Sequence, residues 1–271
     1  ITANKDKYSI SAMCRWLNLP RSSYYYKTSE PVSEADLEEK VKQIFLESQS
    51  RYGARKFKQC LATDGIILSR RRIRRIMKRL NLVSVYQQAS FKPYAKGKNE
   101  APIPNLLDRQ FYQEKPLEVI VTDLTYVRVG QRWAYVCLII DLFNREIIGV
   151  SVGWQKTAEL VKQAIQSIPY ALTKVNLFHS DRGKEFDNQL IDEVLEAFGI
   201  TRSLSQAGCP YDNAVAESTY RSFKLEFIHQ ETFHSLKELT LKTKNYVHWW
   251  NHHRIHGSLN YQTPIAKRVT A

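Results

Sequence analysis

Three β-rich runs, EVIVTDLTYVRV, RWAYVCLIIDL and REIIGVSVGW, follow one another from residue 118 to residue 154, with breaks at Gly130 and Asn144. Runs of this kind joined by short turns predict an antiparallel meander. Beyond residue 154 the pattern alternates. A helix from Thr157 to about Ile168 leads to the apolar strand VNLFHSD, then to the helical DNQLIDEVLEAFG closed by Gly199, then to the strand ITRSLS. Asp212 is placed to cap a last helix running through Ala214, Glu217 and Phe223. Three strands, helix, strand, helix, strand, helix is an α/β order with a mixed sheet.

Three acids are placed oddly in that order. Asp123 interrupts the middle of the first strand, where a carboxylate is disfavoured, Asp181 immediately follows the fourth strand, and Glu217 lies on the last helix among small residues. If the first and fourth strands are neighbours and the last helix crosses them, the three carboxylates converge and raise one another's pKa. A divalent cation resolves that conflict. Carboxylate ligands suit hard ions such as Mg²⁺ or Mn²⁺, and two such ions about 4 Å apart serve an in-line displacement at phosphorus. Taken singly, each acid is better read as a cap, a turn residue or an ion-pair partner.

The charge is lopsided. Of 40 Lys+Arg and 27 Asp+Glu, residues 1 to 112 hold 22 and 10, leaving 18 and 17 for the rest, so the net +13 belongs almost wholly to the first part. Its peak is RRRIRRIMKR, in which Arg70, Arg71, Arg72, Arg74, Arg75, Lys78 and Arg79 surround an apolar stripe of Ile73, Ile76, Met77 and Leu80. A packed helix with one sign of charge calls for a polyanion, and nucleic-acid phosphate is the one that fits. Upstream, Leu37, Val41, Ile44 and Phe45 mark a helix within residues 36 to 49. A second short helix comes after Tyr52-Gly53, and Asp64-Gly65 supplies a turn. Helix, turn and basic helix predict a helix-turn-helix domain over residues 36–90, with the last helix in the major groove.

Residues 1–30 hold a shorter segment of the same kind. Ile10, Met13, Cys14 and Leu17 form a stripe, Leu19-Pro20 breaks it, and Ser22 is placed to cap a second helix. The cluster of Tyr24, Tyr25 and Tyr26 suits helix packing better than base stacking. Residues 91–112 read as an extended basic linker, residues 113–230 as the α/β domain that carries the three acids and residues 231–271 as a helical tail with Trp249 and Trp250 in its core. The longest apolar run, Trp133 to Ile140, is too short to cross a bilayer, so no membrane partner is expected. Four scattered cysteines without a CxxC suit reduced thiols and a cytoplasmic protein.

The motifs VTDLTY around Asp123, HSDRGKEF around Asp181 and YDNAVAESTYRSFK around Glu217 resemble the DDE transposase and retroviral-integrase superfamily, with 35 residues between the last two acids. The insertion sequence three family of transposases is the best match, and the resemblance runs from the basic helices to the tail WNHHRIHGSLNYQTP. It implies a ribonuclease H-like mixed sheet with flanking helices, preceded by all-α DNA-binding regions. Asp123, Asp181 and Glu217 are then the catalytic ligands of two Mg²⁺ ions, for which Mn²⁺ can substitute. Arg221 and Lys224, one and two turns past Glu217, would reach the phosphates of the DNA end, and Arg254 and His256 of the tail motif would pack on the catalytic domain or touch DNA. His179, Asn213 and His256 would support the acids or the DNA from behind.

The implied activity is metal-dependent cleavage and strand transfer at the terminal inverted repeats of an insertion sequence, with joining into target DNA. The implied first joining is of one element end beside the other on the same strand, leading to a circular intermediate. The implied partners are double-stranded DNA, a second copy of the chain at least, and the product of an upstream reading frame, all at the bacterial nucleoid. Ile120 stands where the family often carries Trp, an apolar exchange that touches packing and leaves the chemistry alone. The three histidines of the tail, His252, His253 and His256, lack a cysteine nearby for a zinc site. Two other classes remain open from the sequence. One is a ribonuclease H-like nuclease without strand transfer, and the other is a non-enzymatic DNA-binding regulator.

Overall fold

The structure is a computed structural model that describes residues 1–25, 33–87, 103–206 and 209–270. Its contacts divide the chain into two compact units, Ile1–Ile44 and Phe45–Ala271.

In the first unit, α1 (Ile10–Trp16) starts at Ser9, whose hydroxyl accepts from the amide of Ala12 at 3.1 Å. Its stripe buries Cys14, while Leu17 at its end is exposed. The next helix, α2 (Arg21–Tyr25), begins one residue before Ser22, so Ser22 does not cap it. The fixed φ of Pro20 presets the entry, and the Pro20 carbonyl accepts from the amide of Ser23. Tyr24 and Tyr25 meet edge to face at 5.0 Å, and Tyr26 lies outside the described residues. The longer α3 (Glu34–Glu47) runs across the division between the units and buries Leu37 and Val41.

In the second unit, α4 (Ala54–Thr63) and α5 (Arg70–Arg79) pack through Phe57, Leu61, Ile73, Ile76 and Met77, all buried. Ser69 caps α5 by accepting from the amide of Arg72, and the turn between the helices uses Gly65 at φ +77, a conformation a side chain would strain. Phe45, from the end of α3, stacks on Phe57 at 6.4 Å.

A five-stranded sheet comes next: β1 (Val119–Val129), β2 (Arg132–Asp141) and β3 (Ile147–Gly153), then β4 (Leu177–Ser180) and β5 (Thr201–Leu204). The spatial order is β3-β2-β1-β4-β5. The first three strands are antiparallel as the meander predicts, and β4 and β5 add in parallel. The parallel pairings need crossovers, supplied by α6 (Ala158–Gln166) and α7 (Gln189–Ala197), and Gly199 at φ +68 ends the latter. Between these helices and the sheet lies a core of Ile120, Ile139, Ala164, Phe178, Phe186 and Ile191 among others.

The last helices are α8 (Ala214–Glu226), α9 (Leu236–His252) and α10 (Pro264–Val269). The tail packs directly on the sheet. Asn251 exchanges hydrogen bonds with both the amide and the carbonyl of Ile147, each at 2.9 Å, and so covers the edge strand β3. Arg268 reaches the buried carboxylates of Asp141 and Glu146 at 2.7 and 2.6 Å. Trp249 and Trp250 are buried. On the other edge, residues 103–112 of the expected linker are docked. Leu107 is buried, Leu106 and Leu107 donate to Ser203 Oγ on β5, and Arg145 donates to the carbonyl of Phe111. Residues 91–102 lie outside the described residues.

Candidate active site

β1 carries Asp123 at its fifth position, half-buried, with the amide of Leu124 donating to Oδ1 at 2.7 Å. β4 pairs with β1 so that Val121 stands opposite His179, and continuing that register by two residues puts Asp181 level with Asp123. Asp181 is fixed by its own turn, since the amide of Gly183 donates to its Oδ1 at 2.9 Å.

α8 brings the third acid. Asn213, just before the helix, donates from Nδ2 to the carbonyl of Thr122 at 3.0 Å. The Tyr220 hydroxyl donates to the carbonyl of Asp123 and accepts from the amide of Leu138. Glu217 lies between these two anchors, four residues after one and three before the other, so it shares their helix face toward β1. Asp212 does not cap α8. It is pulled away to Arg109 at 2.8 Å and to the amide of Gln206 at 3.0 Å.

The electrostatics record the convergence. Burial pushes the Asp123 carboxyl up to about 7, with Asp181 and then Glu217 adding to the rise against the Leu124 amide and Lys224. Asp181 is raised by burial and by Glu185, and Glu217 by burial and by Asp181. Asp181 and Glu217 raise Asp123, and Asp181 raises Glu217, while Lys224 acts against the rise at Asp123 and Lys156 against that at Asp181. Among the described residues, no three His, Cys, Asp or Glu side chains are closed to metal-ligand distance.

Three families match the chain: an integrase core domain over residues 113–210, a second integrase core domain over residues 198–264, and an HTH-like domain over residues 32–90. A putative transposase of insertion sequence element IS150 from Escherichia coli (strain K12) is 30% identical over 269 residues, covering 96% of this chain and 94% of that protein. The chain belongs to the insertion-sequence transposases. The IS904 transposase of Lactococcus lactis is 29% identical over 88% of the chain and 95% of its own length. Among solved structures, the catalytic core of HTLV-2 integrase in complex with magnesium covers 56% of the chain at 16% identity, with a TM-score of 0.42.

In this transposase the other residues singled out from sequence fall into separate groups. The seven cations of α5, Arg70, Arg71, Arg72, Arg74, Arg75, Lys78 and Arg79, are all exposed, while its stripe is buried. Arg221 is exposed one turn past Glu217, and Lys224 is half-buried with its ammonium 5.2 Å from the ring of Tyr126. Asn213 holds α8 to β1 beside Asp123. His179 is buried on β4 and bonds Ser203 and Ser205 at 2.8 and 3.1 Å, and burial pushes its pKa down to about 4, so the neutral ring ties β4 to the β5 side.

Arg254 and His256 pack against the protein itself, one of the two roles that the tail motif left open for them. The Arg254 guanidinium is buried and bound by Glu226 at 2.8 Å, because α8 presents that buried carboxylate to the tail. His256 contacts Arg254 and Trp250. Burial, followed by the Arg254 charge, holds it well below the usual histidine range.

Sequence reasoning missed three residues. Tyr220 is a strut between β1, β2 and α8. Glu185 is buried and pairs with Lys156 at 2.7 Å, and the charge of each acts on Asp181. Burial lowers the Lys156 pKa, but Glu185 outweighs it, with smaller contributions from Asp181 and Asp123, and the ammonium ends above its usual value. Glu185 stood inside the HSDRGKEF motif. Lys156 had no periodic signal at all, since only the folding of the β3–α6 turn brings it across.

Proposed function

We propose that this transposase cuts and joins DNA strands at the ends of its own insertion sequence, with Asp123, Asp181 and Glu217 holding two divalent cations, Mg²⁺ with Mn²⁺ as substitute. The observation that carries the reading is the register that brings Asp181, just past β4, level with Asp123 on the neighbouring parallel β1, with Glu217 facing them from a helix anchored on both sides. The donor set fits the group. It is all oxygen and partly buried, which suits hard cations and no soft one. Bound in pairs, such cations lower the pKa of an attacking water or hydroxyl and neutralise the leaving oxygen.

The chain's own residues do the rest. Asn213 and Tyr220 fix the height of Glu217 against Asp123, and the Gly183 turn fixes Asp181, so the acids are set before substrate arrives. Lys224, and Arg221 one turn nearer to Glu217, supply cations for the phosphates on either side of the scissile bond. Water attack at the scissile phosphorus breaks the P–O3′ bond and leaves a 3′-hydroxyl. That hydroxyl, presented to the same acids, attacks a second phosphodiester and displaces its 3′-oxygen. The exposed α5 cations bind the double-stranded terminal repeats, and because two ends must be paired the working assembly is at least a dimer, with the upstream-frame product as a further partner at the bacterial nucleoid.

The test is an assay with labelled duplexes carrying the inverted repeats of the encoding element and Mg²⁺, comparing wild type with Glu217→Gln. Metal-dependent nicks and joined products that vanish in the variant are expected. Nicks without joined products would make the chain a nuclease, and DNA binding with neither, upstream partner supplied, a regulator.

A further inference from the structure

Beyond Asp123, β1 runs on toward its hairpin with β2. On the side of β1 away from β2, β4 pairs only over Val119–Val121, and the next bridge joins Val129 to Phe233. Between those two points the edge of β1 carries no strand partner among the described residues.

Tyr126 and Trp133 stand on this hairpin, 59% and 48% exposed. The register sets Tyr126 opposite Tyr135 and Arg128 opposite Trp133, so strand alternation puts all four on one face. The rings of Tyr126 and Trp133 meet edge to face with centroids 5.1 Å apart. A cation attends each ring: the Arg128 guanidinium lies 5.3 Å from the centroid of Trp133, and the Lys224 ammonium 5.2 Å from that of Tyr126. As a brace for the hairpin the two rings need only their mutual contact, which leaves about half of each in water. Aromatic rings interleaved with cations and open to solvent are the pattern on which the bases of a single strand stack while its phosphates are neutralised.

Lys224 ties this surface to the acids. Its charge acts on Asp123, and its ammonium lies against Tyr126. Asp123 and Tyr126 are three residues apart, which is about 10 Å along the strand, and alternation turns them to opposite faces. The helix that carries Lys224 is anchored to the carbonyls of Thr122 and Asp123, so the lysine serves both faces from the bare edge. A strand with one phosphate at the acids and another at Lys224 brings its next nucleotides, about 3.4 Å apart when stacked, onto the two rings.

We propose that Tyr126 and Trp133 form a stacking platform for an unpaired base of the strand held at the acids. Inside a duplex both faces of a base are covered by its neighbours, so only a base that has left the helix can lie on these rings. The platform keeps the DNA end open beside the cut, and it is indifferent to sequence because every base has a π-face. This inference rests on the proposed function for the course of the strand past Asp123 and Lys224.

The test uses the full chain without metal and two versions of one duplex carrying the inverted repeat, one fully paired and one with about three terminal pairs opened by mismatches. The base analogue 2-aminopurine replaces a base of the opened segment. Wild type should prefer the opened end over the paired one by about fivefold or more in anisotropy titrations, and should quench the analogue. Tyr126→Ala and Trp133→Ala should each lose about fivefold or more of that preference together with the quench, and should bind the paired duplex as wild type does. Tyr126→Phe and Trp133→Phe, which keep a ring, should retain both. Unchanged affinity for the paired duplex excludes misfolding as the cause. No preference in the wild type, or preference and quench intact in both alanine variants, overturns the proposal. So does equal loss on both duplexes, which would make the rings a structural brace, and so does a change of oligomeric state in size-exclusion chromatography with the preference kept, which would make them a contact between copies. Preference and quench lost in the alanine variants, with no strand transfer by any form of the protein in Mg²⁺, uphold the platform and sink the transposase reading. Strand transfer by the wild type with preference and quench unaltered in the alanine variants does the reverse.

Discussion

Glu226 is the residue on which the junction of α8, the tail and the Ser84–Tyr86 segment turns, and replacing it by Gln tests that directly. Its side chain is wholly buried, and it accepts from Arg254 Nε at 3.0 Å and Nη2 at 2.8 Å, from the Tyr246 hydroxyl at 2.8 Å and from the Tyr86 hydroxyl. Burial drives its pKa up, but Arg254 outweighs burial and holds the carboxyl below the usual range. Glu226→Gln keeps the shape and removes the charge, leaving the Arg254 guanidinium buried with Lys56 and Arg51 acting on the same place. An uncompensated buried charge of this kind costs about 3–5 kcal/mol. Removing both partners, as in Glu226→Leu with Arg254→Met, should recover most of that loss, to within about 1–2 kcal/mol of wild type, because a buried pair returns little beyond its own desolvation. Urea unfolding followed by tryptophan fluorescence and circular dichroism reads all four corners of the cycle. The pH dependence has a definite sign. A folded pKa below the unfolded one contributes stability that is complete above the unfolded value and is lost as pH falls through the folded value, so wild type should lose its advantage over Glu226→Gln only in acid. A single variant less than about 1 kcal/mol from wild type, or a double variant as unstable as the sum of the singles, refutes the reasoning.

Asp123→Asn should abolish strand transfer and at the same time raise the melting temperature of the metal-free protein. The raised folded pKa of about 7 has the opposite sign from Glu226: stability falls as pH climbs from the unfolded value toward 7, so added Mg²⁺ should stabilise wild type more at pH 8 than at pH 6 and should do little for the variant. Thermal melts in both buffers decide it. Tyr220→Phe should cost about 1–3 kcal/mol in urea, because the Asp123 carbonyl and the Leu138 amide lose a buried partner, and unchanged stability would remove Tyr220 as a strut. Lys224→Ala should weaken duplex binding and lower its salt slope by about one, with Lys224→Arg restoring both, and a flat result in titration would take Lys224 off the DNA.

The sheet was legible because strand and helix periods differ, and the meander and the two crossovers derive from that alternation. The same holds for α5, whose stripe of Ile73, Ile76 and Met77 can only face inward. What could not be read was set by partners far apart in the chain. Arg254 looks like any surface arginine until Glu226, 28 residues earlier, is seen to fold against it. Asp212 stands in a cap position but is claimed by Arg109 from 103 residues away. Residues 103–112 follow prolines and show no helix or strand period, so they pass for a linker, yet Ser203 offers its hydroxyl to the amides of Leu106 and Leu107 and draws the segment onto β5. Periodicity reports which face of an element is apolar and carries no information about which polar groups will meet.

The parallel pairing of β1 with β4 has a consequence for the timing of assembly. Asp123 and Asp181 come level only after the chain has travelled out through β2 and β3 and back through α6, and Glu217 needs a further crossover and the docking of α8. Contacts of such long sequence separation close late, after the local hairpins have formed. A ribosome that has released the meander alone has made a scaffold with one of the three site acids. On the proposed function, competence to cut DNA arrives with the last third of the chain, and a truncated or half-folded copy holds the basic helix α5 without the third acid.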